Sequence, residues 1–302
     1  MTDRSRRAAL QLALTSLALS LARVGFASGV EIRVVTGDSS DATLQIRAAL
    51  ARRVPDTEAS SDARALSQRP GSAIYVALGP RALQLALEAD LGPSALVGIF
   101  ISHQAFLRLT AAAPRRSRGG VTAIYAEASP LNQMALIREI YARRVTVAVL
   151  LGEDSQSQEA SIRRAARTYE LDLEVAKVEG GASAVRVLAN MPSATVLLAI
   201  PDRDVYTAEN LRSILESTYR RGLGVIGFSV PVVNAGALAT VHSTIDDTVA
   251  QLAELLPTMT GGRVPPAQHP TYWRVSVNDT VARSLNVVVG ARVRALGNPA
   301  PN

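Results

Sequence analysis

The sequence has no cysteine among its 302 residues. Disulfides, thiolate metal sites and a lipidated cysteine after leader cleavage are thereby excluded, and stability has to come from a packed core. Aromatic residues make up only 4%, with a single tryptophan, and Lys177 is the one lysine. Positive charge is therefore almost wholly arginine, and the arginines are scattered among Glu and Asp through helix-like segments. Nucleic-acid binding calls for a basic face with interleaved aromatics, so no nucleic-acid partner is expected. Gly-x-Ser-x-Gly and phosphate-loop patterns are also missing; Gly119-Gly120 and Gly261-Gly262 belong to neither. His103, His242 and His269 are too far apart to read as a metal-binding helix or finger. The expectation is a protein that is not an enzyme and has no metal or cofactor; an exported hydrolase with a scattered site is the enzymatic alternative.

What is present begins with a leader. Arg4, Arg6 and Arg7 precede an almost uncharged run, Ala8 to Ala22, and small residues surround Phe26, which places a signal-peptidase cut after Ala27. The apolar run of about 15 residues falls short of the roughly 20 that cross a bilayer. Ser5-Arg6-Arg7 also fits a twin-arginine signal. Removal of residues 1–27 takes away four arginines and one aspartate, lowering the net charge from +6 to +3. A soluble, untethered periplasmic protein of about 275 residues is expected, long enough for one large domain or two ordinary ones.

The remainder alternates short, continuous apolar runs with helix-like segments. Ile32 to Thr36 is followed by a helix over Ala42 to Val54, Ala73 to Leu78 by one over Arg81 to Glu88, and Ala95 to Ile101 by one over Gln104 to Ala112. Residues 113–120 read as a surface loop before a domain boundary. A second series has strands at Val121 to Tyr125, Val145 to Leu151, Leu173 to Val178, Thr195 to Ile200 and Val225 to Phe228, with helices between them. Strands without period-2 alternation are strands covered by helices on both faces, so both halves are expected to be α/β with doubly wound parallel sheets. Strand, helix and strand come next at Ala237 to Val241, Ile245 to Leu256 and Tyr272 to Val277, implying that the chain recrosses between its halves; Arg294 to Asn302 reads as frayed.

Particular segments resemble a family. Val121-Thr122-Ala123-Ile124-Tyr125 with Pro130 to Ile137, Leu171 to Val175, Gly236-Ala237-Leu238-Ala239-Thr240, and Trp273 to Asn278 with Val281 to Leu285 are similar to ABC-transporter substrate-binding proteins of the type I periplasmic-binding fold. That group includes aromatic amino-acid binders. The resemblance implies two lobes hinged by three strands, a ligand held between them, and a permease or another membrane or periplasmic protein as partner to a monomer. On it, residues 28–121 plus 238–268 form the N-terminal lobe, 122–237 plus 269–290 the C-terminal lobe, and 291–302 a tail. Departures occur where cleft residues are expected: Pro80 follows Gly79 in place of a hydroxyl residue, and Ser102-His103 stands in place of an Asp-Pro pair. These departures motivate a second reading, a ligand-free or sensory protein of the same fold.

Candidate ligand-binding residues are those at strand ends: Gly79, Ser102, His103, Tyr125, Glu127, Asp202, Tyr206 and Ser229. His103 either meets a ligand carboxylate or bonds backbone. Tyr125 either stacks on a ring or packs at the hinge. Asp202 and Asp204 offer an acidic pair for a ligand ammonium, although Asp204 also suits an N-cap. Ser229 is either a donor or a turn serine. Asp246-Asp247 reads as the first turn of a helix.

Overall fold

The computed structural model describes residues 31–301 except 55–56, 64, 66–67, 69–72, 114–118 and 180–182, with backbone alone at 260–262. The leader and most of the arginine-rich loop lie outside the described residues.

Local chemistry sets the elements. Strand β1 (Glu31–Thr36) leads into α1 (Asp41–Arg53), whose first free N–H groups are met by the Ser40 hydroxyl and whose ends carry Asp41 and Arg52–Arg53, the signs that a helix dipole favours. After the short β2 (Glu58–Ser60), the fully buried β3 (Ala73–Leu78) turns directly into α2 (Gly79–Glu88), with Pro80 in its first turn. Then come β4 (Ala95–Ile101), α3 (His103–Ala112) and β5 (Val121–Tyr125). These strands form one five-stranded sheet in the order β2-β1-β3-β4-β5, parallel throughout. One face packs Val34, Val76 and Val97 against Leu50, and the other packs Tyr75 and Leu96 against Leu83, Ala86 and Phe106.

The second lobe contains α4 (Pro130–Tyr141), β6 (Thr146–Leu151), α5 (Glu159–Thr168), β7 (Asp172–Lys177), α6 (Ala184–Ala189), β8 (Val196–Leu198), α7 (Ala208–Arg220), β9 (Gly224–Gly227), α8 (Val230–Asn234) and β10 (Ala239–His242). After α9 (Ile245–Leu255) the chain adds β11 (Arg274–Val277), α10 (Asp279–Ser284) and α11 (Ala291–Ala295). The second sheet has six strands in the order β11-β10-β9-β8-β6-β7, with β11 alone antiparallel. Its faces are also covered on both sides, by Met134, Ile137 and Ile162 and by Leu188, Ile214 and Val232. Two apolar faces per sheet explain why the strands read as unbroken apolar runs.

Among the described residues the chain crosses between lobes three times. It leaves the first sheet after Tyr125 and enters α4 at Pro130. It returns after His242 into α9, whose Val249 and Leu252 join the first-lobe core. It goes back through Gln268, which bridges Ile124, to reach β11.

Three expectations change. Val121 to Tyr125 is the last strand of the first sheet, not part of the second lobe, because it pairs in register with β4; the crossing itself is 126–129. Ala239–His242 lies in the second sheet between β9 and β11, so the return to the first lobe begins after it and not at 238. The tail is held, not frayed. Asn298 exchanges backbone hydrogen bonds with Trp273, both 2.9 Å, the Ala300 N–H donates to Asp247 at 3.0 Å, and Val293 is buried in the second-lobe core. Asp247, expected as a first-turn acid, completes a capping box with Thr244 and pairs Arg274 at 2.9 Å.

Candidate functional site

The strand β4 does not end smoothly. Phe100 has φ +56°, and the register against β5 slips there, so Ile99 faces Ile124 while Ile101 faces Tyr125. One extra residue in a strand bends it and re-aims the residues beyond the bulge. Here those residues are Ser102-His103, at the carboxyl edge of the first sheet.

Ser102 caps α3, accepting from the Ala105 N–H at 3.2 Å. The His103 N–H, in the first turn of that helix, donates to Glu127 Oε1 at 2.8 Å. Glu127 stands on the first crossing and is only 3% exposed. Its Oε2 is buried without a hydrogen-bond partner, as are His103 Nδ1 and both polar atoms of the Gln104 amide. Burial pushes the Glu127 carboxyl up to about 7, against the opposing pull of the His103 N–H.

The crossings lie side by side. The Tyr125 N–H donates to the Gln268 carbonyl at 2.9 Å, and Glu127 makes an antiparallel bridge with His242. His269 Nδ1 lies 3.2 Å from the Glu127 carbonyl. A carbonyl only accepts, so His269 carries its proton on Nδ1. The Tyr125 ring is met edge-on by His103 at 4.8 Å, His269 at 5.0 Å and Phe106 at 5.8 Å between centroids. Burial lowers the pKa of His103, with the neighbouring His269 charge adding to the effect, and burial likewise lowers His269 and His242. Burial, then the Glu127 charge, raises Tyr125 to about 12. The histidines that look scattered in sequence thus converge at the crossings, with His242 Nε2 2.9 Å from the Ser276 hydroxyl. Among the described residues no group of three or more His, Asp or Glu is placed to hold a metal ion.

Gln104 and Arg108 are four residues apart on α3 and share one helix face. Arg108 reaches Asp154 of the second lobe at 2.8 Å, and Arg203 reaches the same carboxylate oxygen at 3.1 Å. That face of α3 therefore looks across the gap between lobes, and Asp154 is held by an arginine from each side. The ring cluster, Glu127 and Gln104 thus lie at the crossings and on α3, the helix whose Arg108 joins the lobes through Asp154.

The other sequence candidates lie elsewhere. Asp202 is buried with both oxygens occupied inside its own lobe. Oδ2 accepts from the Ser155 N–H at 3.1 Å and hydroxyl at 2.7 Å, and Oδ1 from the Asp204 and Val205 N–H groups at 3.0 and 3.1 Å. A Cβ on Gly152 would stand 2.7 Å from that carboxylate, so glycine permits the approach. Asp202 is thus committed to joining the β6 and β8 loops. Asp204 does not cap the next helix; Thr207 does, accepting from the Asn210 N–H at 3.1 Å. Tyr206 packs in the second-lobe core against Phe228, 5.9 Å between centroids, its buried hydroxyl unpaired. Ser229 opens α8 without a side-chain cap bond, and Gly79 closes β3 at φ +84°, a left-handed conformation that suits glycine. His269, Gln104 and the Arg108–Asp154 pair are not among the sequence candidates. His269 sits in a Pro-flanked loop with no local signal, and pairing across lobes leaves no trace in sequence spacing.

No known family model and no curated protein matches the sequence. Solved structures do match over nearly full length. A ligand-free, open substrate-binding protein with adhesive properties from Clostridium difficile aligns at TM-score 0.66 and 13% identity, covering 88% of this chain and 97% of that one. An ABC domain from Streptococcus pneumoniae, solved with L-Trp, gives 0.55 at 17% identity over 87% and 97%. A conserved domain protein from Vibrio cholerae gives 0.56 at 16% over 89% and 98%. Two parallel-sheet lobes, three crossings and these likenesses together give the chain the type I periplasmic-binding fold, the architecture of ABC-transporter substrate-binding proteins.

Proposed function

We propose that the protein is an exported solute receptor that closes on a small molecule between its lobes and delivers it to an ABC importer. The observation that carries this reading is the group of buried, unpaired polar atoms of His103, Gln104 and Glu127 where the first crossing meets the start of α3. Buried polar groups are nearly always hydrogen-bonded, so a cluster of unpaired ones on crossing segments suits a guest that supplies the missing partners. His103, Tyr125 and Glu127 form the proposed site, with Ser102 fixing the helix that bears His103. The leader over residues 1–27 supports export to the periplasm, and the fold suits a monomer that docks on a permease.

A thermal-shift screen with amino acids, nucleosides, carboxylates, polyols and amines tests the proposal. A solute held by the folded state alone stabilises it by about 2.7 kcal/mol at a hundredfold excess over Kd. Failure of every solute class to raise the melting temperature would sink it. The second reading, a sensory or interaction protein of the same fold, has one observation in its favour: Arg108 and Asp154 join the lobes directly. Capture of a defined periplasmic or membrane partner by protein that binds no solute would support it.

A further inference from the structure

We propose that the cleft takes a cation: an amine-bearing small molecule without a free carboxylate, whose ammonium group pairs with Glu127. The inference rests on the solute-receptor reading above and names the ligand class for that cleft.

The starting point is an incomplete ion pair. A carboxylate at 3% exposure is costly unless a cation or several donors meet it. Glu127 Oε1 accepts the His103 N–H, and the residue's own backbone N–H also favours the charged form, but Oε2 is buried with no hydrogen-bond partner and no cation meets the group. The titratable groups around it do not supply a cation. His103 and His269, on α3 and on the third crossing, are kept neutral by burial, and His242, bridged to Glu127 through backbone, is likewise lowered. Tyr125 is a neutral phenol. Arg108 on α3 and Arg274 on β11 are already paired, with Asp154 and Asp247.

Ligand classes then separate on charge. An anion would lie beside a carboxyl group, with no unpaired cation among these groups to receive it. An uncharged ligand can bring a donor to Oε2 but no charge to balance the carboxylate. An ammonium group supplies both the charge and the donors that Oε2 lacks, and the flat rings of His103, Tyr125 and His269 offer an apolar wall to the carbon frame. A zwitterionic amino acid needs a second, positive subsite. Asp202, the acid that sequence places at the opposite edge, is committed internally.

Proton linkage makes the proposal measurable. Pairing with a cation returns the Glu127 carboxyl toward its ordinary 4.5 from about 7. Binding therefore releases a proton at or below neutral pH, and affinity falls about tenfold for each pH unit below 7. Isothermal titration of the processed protein with tyramine, choline, putrescine, tyrosine, myo-inositol and benzoate, in buffers of different ionisation enthalpy, reads both effects. The proposal expects an amine probe to bind at pH 7.5 with proton release at pH 6.5, and Glu127→Gln to weaken that probe at least thirtyfold while keeping the far-ultraviolet spectrum. Stronger binding of tyrosine than of tyramine, or binding of myo-inositol or benzoate equally by wild type and E127Q, overturns the cation assignment and leaves the solute reading standing. Binding of no probe overturns the cation assignment; if the wider thermal-shift screen is also blank, the solute reading falls with it.

Discussion

Replacing Glu127 by glutamine should make the unliganded protein more stable, and only above a defined pH. Burial raises the carboxyl from 4.5 to about 7. A group raised above its unfolded value favours the folded state fully below the unfolded pKa and loses that contribution as pH rises through the folded one. The wild type therefore gives up stability between pH 4.5 and 7, by about 3 kcal/mol from the size of the shift. Glutamine keeps an acceptor for the His103 N–H and carries no charge to desolvate. The difference between E127Q and wild type should be near zero at pH 4.5 and reach about 3 kcal/mol at pH 8, a rise in melting temperature of roughly 6–12 °C for a chain of this size. His103, His242 and His269, all lowered by burial, act with opposite sign, holding stability above 6.5 and losing it as pH falls. They are common to both proteins and drop out of the difference. Urea unfolding of the pair at pH 5, 6, 7 and 8 measures it. A difference that stays flat with pH, or E127Q less stable at pH 8, would refute the claim that Glu127 is buried without a counterion.

Other perturbations come from the geometry. Asp202→Ala strips four donors of a buried acceptor and should cost about 3–5 kcal/mol in chemical denaturation. Gly152→Ala brings a Cβ to 2.7 Å from the same carboxylate and should destabilise by about 1–3 kcal/mol without altering the first lobe's hydrogen-exchange pattern. Arg108→Ala removes a partly exposed pair, so stability should change by less than about 1 kcal/mol; solution scattering should nevertheless report a larger radius of gyration, and added salt should expand the wild type in the same direction. Truncation after Leu296 deletes the Asn298 and Ala300 bonds and should lower the melting temperature, where a frayed tail would leave it unchanged.

Much of the fold is legible in the sequence because each strand is covered on two faces. Val147, Val149 and Leu151 point one way in β6 and Ala148 and Leu150 the other, and all are buried. Such runs show that a strand exists but not which sheet it joins. Val121 to Tyr125 and Ala239 to His242 are therefore misassigned by sequence alone, since their partners Leu96 and Val275 are set by tertiary pairing. The held tail is hidden for the same reason: Asn298 meets Trp273 through backbone atoms alone. Strand-end logic points to His103, Tyr125 and Glu127, which lie together at the first crossing because crossings begin where a strand stops. It also points to Asp202, whose oxygens go to a serine 47 residues away. His269 and the Arg108–Asp154 contact depend on how the crossings and lobes meet, which no local pattern encodes.

The absence of cysteine permits a direct test of closure on a ligand. Cysteines placed at exposed Ala111 in α3 and exposed Ser157 beyond β6 put one dye on each lobe. Single-molecule energy transfer across the cleft should show open and closed populations that collapse to the closed one as solute is added. It should do so with the same midpoint as the heat of binding. One unchanging distance at saturating solute, or binding that saturates while the distance stays put, would contradict a receptor that grips its ligand between hinged lobes.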